Sequence, residues 1–408
     1  MSHFQSRLLS TDGVTAFSTK DAAKTALGTI DSEISAMHSM ISAAKMRRNA
    51  ISTVSRLPPE VLSNIFSILT AVDPPTHKRT FVERNFINMR GLGWIRVTQV
   101  CRSWRHIVLS DARLWTDICA QLSPLWMTEM LERSNQTLFT FSANFNTESE
   151  GSDKGKLMAV VEEVLSPRHL ARLKGLHFNS WNPRYMRTAI KRLDQAAPLL
   201  DSLSIRSGTI YNASTRLVPD DIFASTLPQL RNITFEGWIP ASWDVHYLCN
   251  LTSLEISRSS DDPVYSMSIA KCFEILENSP QLETLVLKHV VSSTSKEVLP
   301  SGHEAVALPC LTKFAMHCSI PGLIVLFSGL IIPRTSAVEV GFHTTHARFS
   351  ELISLLAAFS RRADASASPL RKISIDCVRK GRRSEKHILL GAFGEAGAQR
   401  NMKKISIA

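Results

Sequence analysis

Few residues in this chain of 408 have the types and spacing that covalent or metal chemistry needs. Cys310 and the pair His317-Cys318 are soft ligands close in sequence, yet no second half-site accompanies them, and a structural metal site takes about four donors. Alternating core and surface positions on a strand account for them. Gly391, Gly394 and Gly397 recur at steps of three, but no strand–turn context surrounds them of the kind that cradles a phosphate, so they read as flexible surface. The sequence contains no G-x-x-x-x-G-K-[ST], H-E-x-x-H or G-x-S-x-G segment. These observations predict no cofactor, no metal and no catalytic residue, hence a non-enzyme. The densest charge cluster is Arg379-Lys380-Gly381-Arg382-Arg383. Arg379, Lys380, Arg382 and Arg383 are candidates for nuclear targeting, against the plainer reading of a solvated loop between repeats. No aromatic side chains lie near them to stack on bases, which argues against single-strand nucleic-acid binding.

The remaining chemistry is that of apolar surface, concentrated between Val54 and Ile118. The first block opens on Leu57-Pro58-Pro59-Glu60, and Val61, Leu62, Ile65, Phe66, Ile68 and Leu69 follow at helical spacing. Proline suits the first turn of a helix, where its missing N–H would be unpaired anyway, and Glu60 there favours the positive end of the helix dipole. The second block sets Val97, Val100, Cys101, Trp104, Ile107 and Val108 at steps of three and four, which predicts another amphipathic helix. Asp111 and Ala112 then lead to Leu114-Trp115. A few short helices this apolar cannot hide all of their hydrophobic surface from one another, so the module is expected to finish its core against a partner.

The string LPPEVLSNIF followed by VCRSWRHIVLSDARLW resembles the F-box, and more closely the F-box-like domain common in mushroom-forming fungi. The departure is the insertion from Ala71 to Gly93 between the blocks, a frequent feature of the fungal variant. The resemblance implies docking onto the Skp-type adaptor of a cullin–RING ubiquitin ligase. It places Leu57, Pro58, Pro59, Glu60, Val61, Leu62, Ile65 and Phe66 of the first block at that contact. Val100, Cys101, Trp104 and Trp115 of the second block complete the patch or support it from behind.

Ahead of this module, residues 1–19 are polar and expected to be disordered. A helical segment, residues 20–52, carries Ile30, Ile34, Met37, Ile41, Ala44, Arg48 and Ile51 as a short heptad seam that either pairs weakly or lies against the F-box-like domain, residues 53–120. Residues 121–155 form a connecting segment with a helix at Leu122–Leu131, a strand at Leu138–Phe145 and a polar linker at 146–155.

Beyond the linker, residues 156–408 show an internal repeat: apolar, two variable positions, apolar, one variable position, apolar. It occurs as Leu173-Leu176-Phe178, Leu200-Leu203-Ile205, Leu230-Ile233-Phe235, Leu251-Leu254-Ile256, Leu282-Leu285-Leu287 and Leu311-Phe314-Met316. It returns as Leu370-Ile373-Ile375 and Met402-Ile405-Ile407, with a degenerate copy at Val338-Val340-Phe342. Up to Leu311 the copies stand 27, 30, 21, 31 and 29 residues apart, the interval of leucine-rich repeats. Strands this short cannot bury a face alone and must stack in parallel. Tyr185–Leu200, Ser266–Leu276 and Phe349–Phe359 have the spacing of return helices, and Pro198, Pro228, Pro280, Pro309 and Pro369 precede strands, where they end what comes before. The final copy reaches almost to Ala408, so that strand is either the edge of the array or part of a truncated sequence. The expected class is thus α+β or α/β: a small helical F-box module, then an irregular leucine-rich-repeat-like solenoid with parallel strands.

Composition narrows the setting. Hydrophobic residues make up 44% and charged residues 20%, as in an ordinary soluble protein. The longest apolar run, Ile320–Ile332, is too short to span a bilayer. Seven scattered cysteines without C-x-x-C spacing predict reduced thiols in the cytosol or nucleus. The net charge is +11, and residues 361–408, with twelve Lys or Arg and four Asp or Glu, carry +8 of it. Three functions follow as expectations. The first is a non-catalytic substrate receptor of an SCF-type ubiquitin ligase, binding the adaptor, through it a cullin, and a substrate protein. The second is an F-box scaffold outside ubiquitin ligation. The third is a basic, nucleic-acid-associated repeat protein.

Overall fold

The computed structural model describes residues 3–82, 85–120, 124–145, 152–180, 182–207, 216–258, 265–292, 305–333, 336–343, 373–378 and 386–390. The basic cluster at 379–383, the expected helix at Phe349–Phe359, the glycines at 391–397 and the last repeat copy at 402–407 lie outside them. The chain divides into two compact units, Met1–Leu114 and Trp115–Ala408.

The first unit is helical. Helix α1 (His3–Leu9) forms within the stretch expected to be disordered, and it packs on α2 (Lys20–Ile51) with Arg7 in a 2.9 Å ion pair to the buried Glu33. Thr19 caps α2 by accepting from the Ala22 N–H. Only part of the heptad seam is covered: Ile30 and Met37 are half-buried, whereas Ile34, Ile41 and Ile51 are exposed.

Helix α3 (Pro59–Val72) starts on Pro58, whose carbonyl accepts from the N–H groups of Val61 and Leu62 at 3.1 Å each. The insertion is a β-hairpin, Thr76–Val82 paired antiparallel with Asn85–Gly91. The single helix expected across 97–108 is broken in two. Gly93–Gln99 is a 3-10 turn, and α4 (Arg102–Ser110) begins only after Cys101, which is extended at φ −157° and whose Sγ accepts from the Trp104 N–H at 3.5 Å. Val97 and Val100 therefore belong to a different element from Trp104, Ile107 and Val108.

Among the described residues of the second unit, eleven strands form one sheet in chain order. Every neighbouring pair from Asp117–Cys119 to Ile373–Val378 is parallel. The repeat copies lie in register: Leu176 sits opposite Leu203, then Ile233, Leu254, Leu285, Phe314, Val338 and Ile373. Phe178, Ile205, Phe235, Ile256, Leu287, Met316 and Val340 form the second row, and none of the two rows' residues from Leu176 to Val340 is more than 3% exposed. Period-two alternation puts both rows on one face and the intervening side chains on the other. Short helices supply several returns, at Pro183–Ile190, Ile269–Glu277 and Ile320–Gly329. Asn182, Ser268 and Ser319 cap them, accepting from N–H groups two or three residues on. The return after Trp238 is irregular, as its spacing predicts.

Two corrections concern boundaries. The sheet begins at Asp117, well before the polar stretch at 146–155, and the helix Ser152–Val164 starts inside that stretch. The pattern had two earlier copies, Trp115-Ile118-Ala120 and Leu138-Phe141-Ala143, and the pairing confirms their register: Ile118 opposes Phe141, which opposes Leu176. The last described strand, Lys386–Leu390, runs antiparallel to Ile373–Val378. A connection of seven residues, 379–385, can close a hairpin but not a parallel crossover, which needs about a dozen or more.

Candidate docking site

The first unit's site is built on the two sides of α3. Leu62 and Phe66 face inward and are buried, with the Phe66 ring 5.2 Å from that of Trp104 and tilted 60° to it. Val108, Trp94 and Ile95 close this core and are also buried. On the other side, Val61 (40% exposed), Ile65 (41%), Ile68 (65%) and Val72 (72%) recur at steps of four, three and four. A helix at a protein surface normally turns polar residues outward. Here the outward stripe is aliphatic over the whole of α3, and Leu57 extends it past the helix start.

Two polar fixtures hold α3 in place, and sequence reasoning had assigned neither. Ser63 Oγ donates to Asp111 Oδ2, and Asp111 also accepts from Arg113 Nη2 at 2.8 Å and Nε at 2.9 Å. The guanidinium hydrogen bond is the main reason that the Asp111 carboxyl is held down at about 2, with Ser63 adding to it. At the other end, the Trp94 N–H donates to the Asp73 carbonyl at 2.7 Å, and Arg96 Nη2 pairs with Asp73 Oδ2 at the same distance. Asp-x-Arg at 111–113 and the Gly93 after the hairpin were the signals available for these.

A groove of about 680 Å³ opens beside the start of α3. Leu57, Pro59, Leu62, Val100, Cys101 and Trp104, all predicted site residues, line it, together with Met46, Lys45 and Arg48 of α2 and with Arg102. Pro58, Glu60, Val61, Ile65 and Phe66 do not line the groove. The first four are exposed and Phe66 is core. Trp115 is the clear departure. It is fully buried in the second unit, under the Arg133 guanidinium 4.5 Å from its ring, and it stands just ahead of the first strand of the sheet. It is a core residue of the sheet and no part of a docking surface.

The family model described as F-box-like matches residues 54–121. This chain carries an F-box-like domain. The match takes in α3, the hairpin insertion and α4, so the two apolar blocks and the interruption between them are one domain. Searches of curated proteins and of solved structures find no match. An F-box-like domain indicates protein–protein interaction with a Skp-type adaptor. Among the described residues, no helix is long and apolar enough to cross a membrane, and no three His, Cys, Asp or Glu side chains gather where they could hold a metal.

Proposed function

We propose that the chain is the non-catalytic substrate receptor of an SCF-type cullin–RING ubiquitin ligase, acting in the cytoplasm or nucleus. Its F-box-like domain docks the Skp-type adaptor, and its sheet unit, read as a leucine-rich-repeat-like solenoid, holds the target protein. The observation that carries this reading is the outward aliphatic stripe of α3, which lies inside the matched domain and continues through Leu57. Aliphatic side chains left in water at that spacing stabilise a complex once a partner covers them, at roughly 25 cal/mol per Å² buried. The insertion from Ala71 to Gly93 and the long helix ahead of the domain support the mushroom-forming fungal type.

The sheet's second face favours a target-binding role. Opposite the apolar rows, its register aligns Ser142, His177, Ser204, Thr234, Glu255, Val286, Ala315 and Glu339. Val286, Ala315 and Ser204 are buried on this face. The others are polar or charged side chains on strands fixed by their neighbours, a rigid surface of mixed chemistry that another protein can contact. Catalysis in such an assembly is positional: tethering raises the effective concentration of a substrate lysine at the charged conjugating enzyme. The test is affinity capture of the tagged chain, with blotting for adaptor and cullin. Recovery of both supports the ligase reading; adaptor without cullin would redirect it to a scaffold outside ubiquitin ligation.

A further inference from the structure

Helix α2 forms one wall of the groove beside Leu57, although it lies outside the residues that the F-box-like model covers. The groove's lining combines the apolar Met46, Leu57, Leu62 and Trp104 with the cations Lys45, Arg48 and Arg102 and with uncharged polar residues such as Ser42, Asn49 and Ser103, and no Asp or Glu lines it. Arg102 Nη1 lies 3.7 Å from Met46 Sδ, so the α4 start and α2 meet across the groove. The three cations are exposed. Resting on the adaptor reading above, we infer that α2 is part of the docking surface and that the groove takes an acidic amphipathic helix of the adaptor. Its apolar side chains at helical spacing would pack on Met46, Leu57, Leu62 and Trp104, and its carboxylates would meet Lys45, Arg48 and Arg102.

Two other occupants fit the groove less well. A single-stranded nucleic acid would need exposed rings to stack on, and Trp104 is half-buried against Phe66. In a parallel pairing, a second copy's α2 would set Lys45, Arg47 and Arg48 against their like, since residues 41–51 contain no Asp or Glu.

The experiment uses the full chain, titrated with a recombinant Skp-type adaptor at salt from about 0.05 to about 0.3 M. The variant Lys45→Glu/Arg48→Glu/Arg102→Glu should bind at least about tenfold more weakly than wild type at low salt, and its affinity should lose most of the salt dependence. The charge-conserving Lys45→Arg/Arg48→Lys should bind as wild type does. Circular dichroism melts should be unchanged for both. Leu57→Ala/Pro58→Ala runs alongside. If it weakens binding and the charge-reversed variant does not, the adaptor reading stands and the role of α2 is overturned. If neither weakens binding, the adaptor reading itself fails. Self-association that the charge reversal abolishes, with adaptor affinity intact, would assign the groove to a second copy and overturn the inference.

Discussion

Gly93 fixes where the hairpin insertion returns to the first unit. Its φ is +54°, and a Cβ there would press on the Asp73 and Pro74 carbonyls. The left-handed conformation alone costs an L-residue about 1–2 kcal/mol, so Gly93→Ala should destabilise the unit by about 2 kcal/mol or more, read from denaturant melts. Asp111 makes a prediction in pH. Its carboxyl is held at about 2 in the folded chain against about 3.9 unfolded. A group with a depressed folded pKa stabilises above its unfolded value and loses that contribution as pH falls through the folded value. The stability difference between wild type and Asp111→Asn should therefore be constant above pH ~5 and shrink between pH ~4 and ~2. A gap that is flat across that range would show that the Arg113–Asp111–Ser63 contact does not form.

At the scale of elements, α3 makes opposite demands on its two sides. Phe66→Ala removes a fully buried ring in contact with Trp104, and the loss should be about 3–5 kcal/mol, enough to unfold a marginal module. Val61→Ser/Ile65→Ser alters only the outer stripe, so thermal stability should change by less than about 0.5 kcal/mol while adaptor affinity falls. A double serine variant that melts early would place the stripe in an internal contact instead. The same division explains what was legible in the sequence. Repeats from Leu173 onward could be read because three apolar positions and a parallel stack repeat the same physical requirement. The copies at Trp115 and Leu138 could not, since alanine closes each triplet and Trp115 ends the second F-box block, where the resemblance assigned it to the adaptor. The break at Cys101 was hidden because apolar spacing continues unchanged across an N-cap, which depends on one residue's backbone torsions. The hairpin had no apolar alternation strong enough to announce it between Ala71 and Gly93.

The whole molecule divides into two compact units, one helical and one built on a parallel sheet. The sheet unit's core is the pair of buried rows, so Phe235→Ala, at the centre of one row, should cost about 3–5 kcal/mol there and leave adaptor affinity unchanged. The reverse should hold for the docking surface: its variants change binding and leave the sheet folded. The adaptor contact is the central claim, and titration of a Skp-type adaptor against Leu57→Ala/Pro58→Ala tests it most directly. Central apolar anchors carry about 2 kcal/mol or more each when truncated, and 1.4 kcal/mol is a decade in affinity. The account predicts at least about a tenfold rise in Kd with an unchanged circular dichroism spectrum; wild-type affinity in a folded double variant would contradict it.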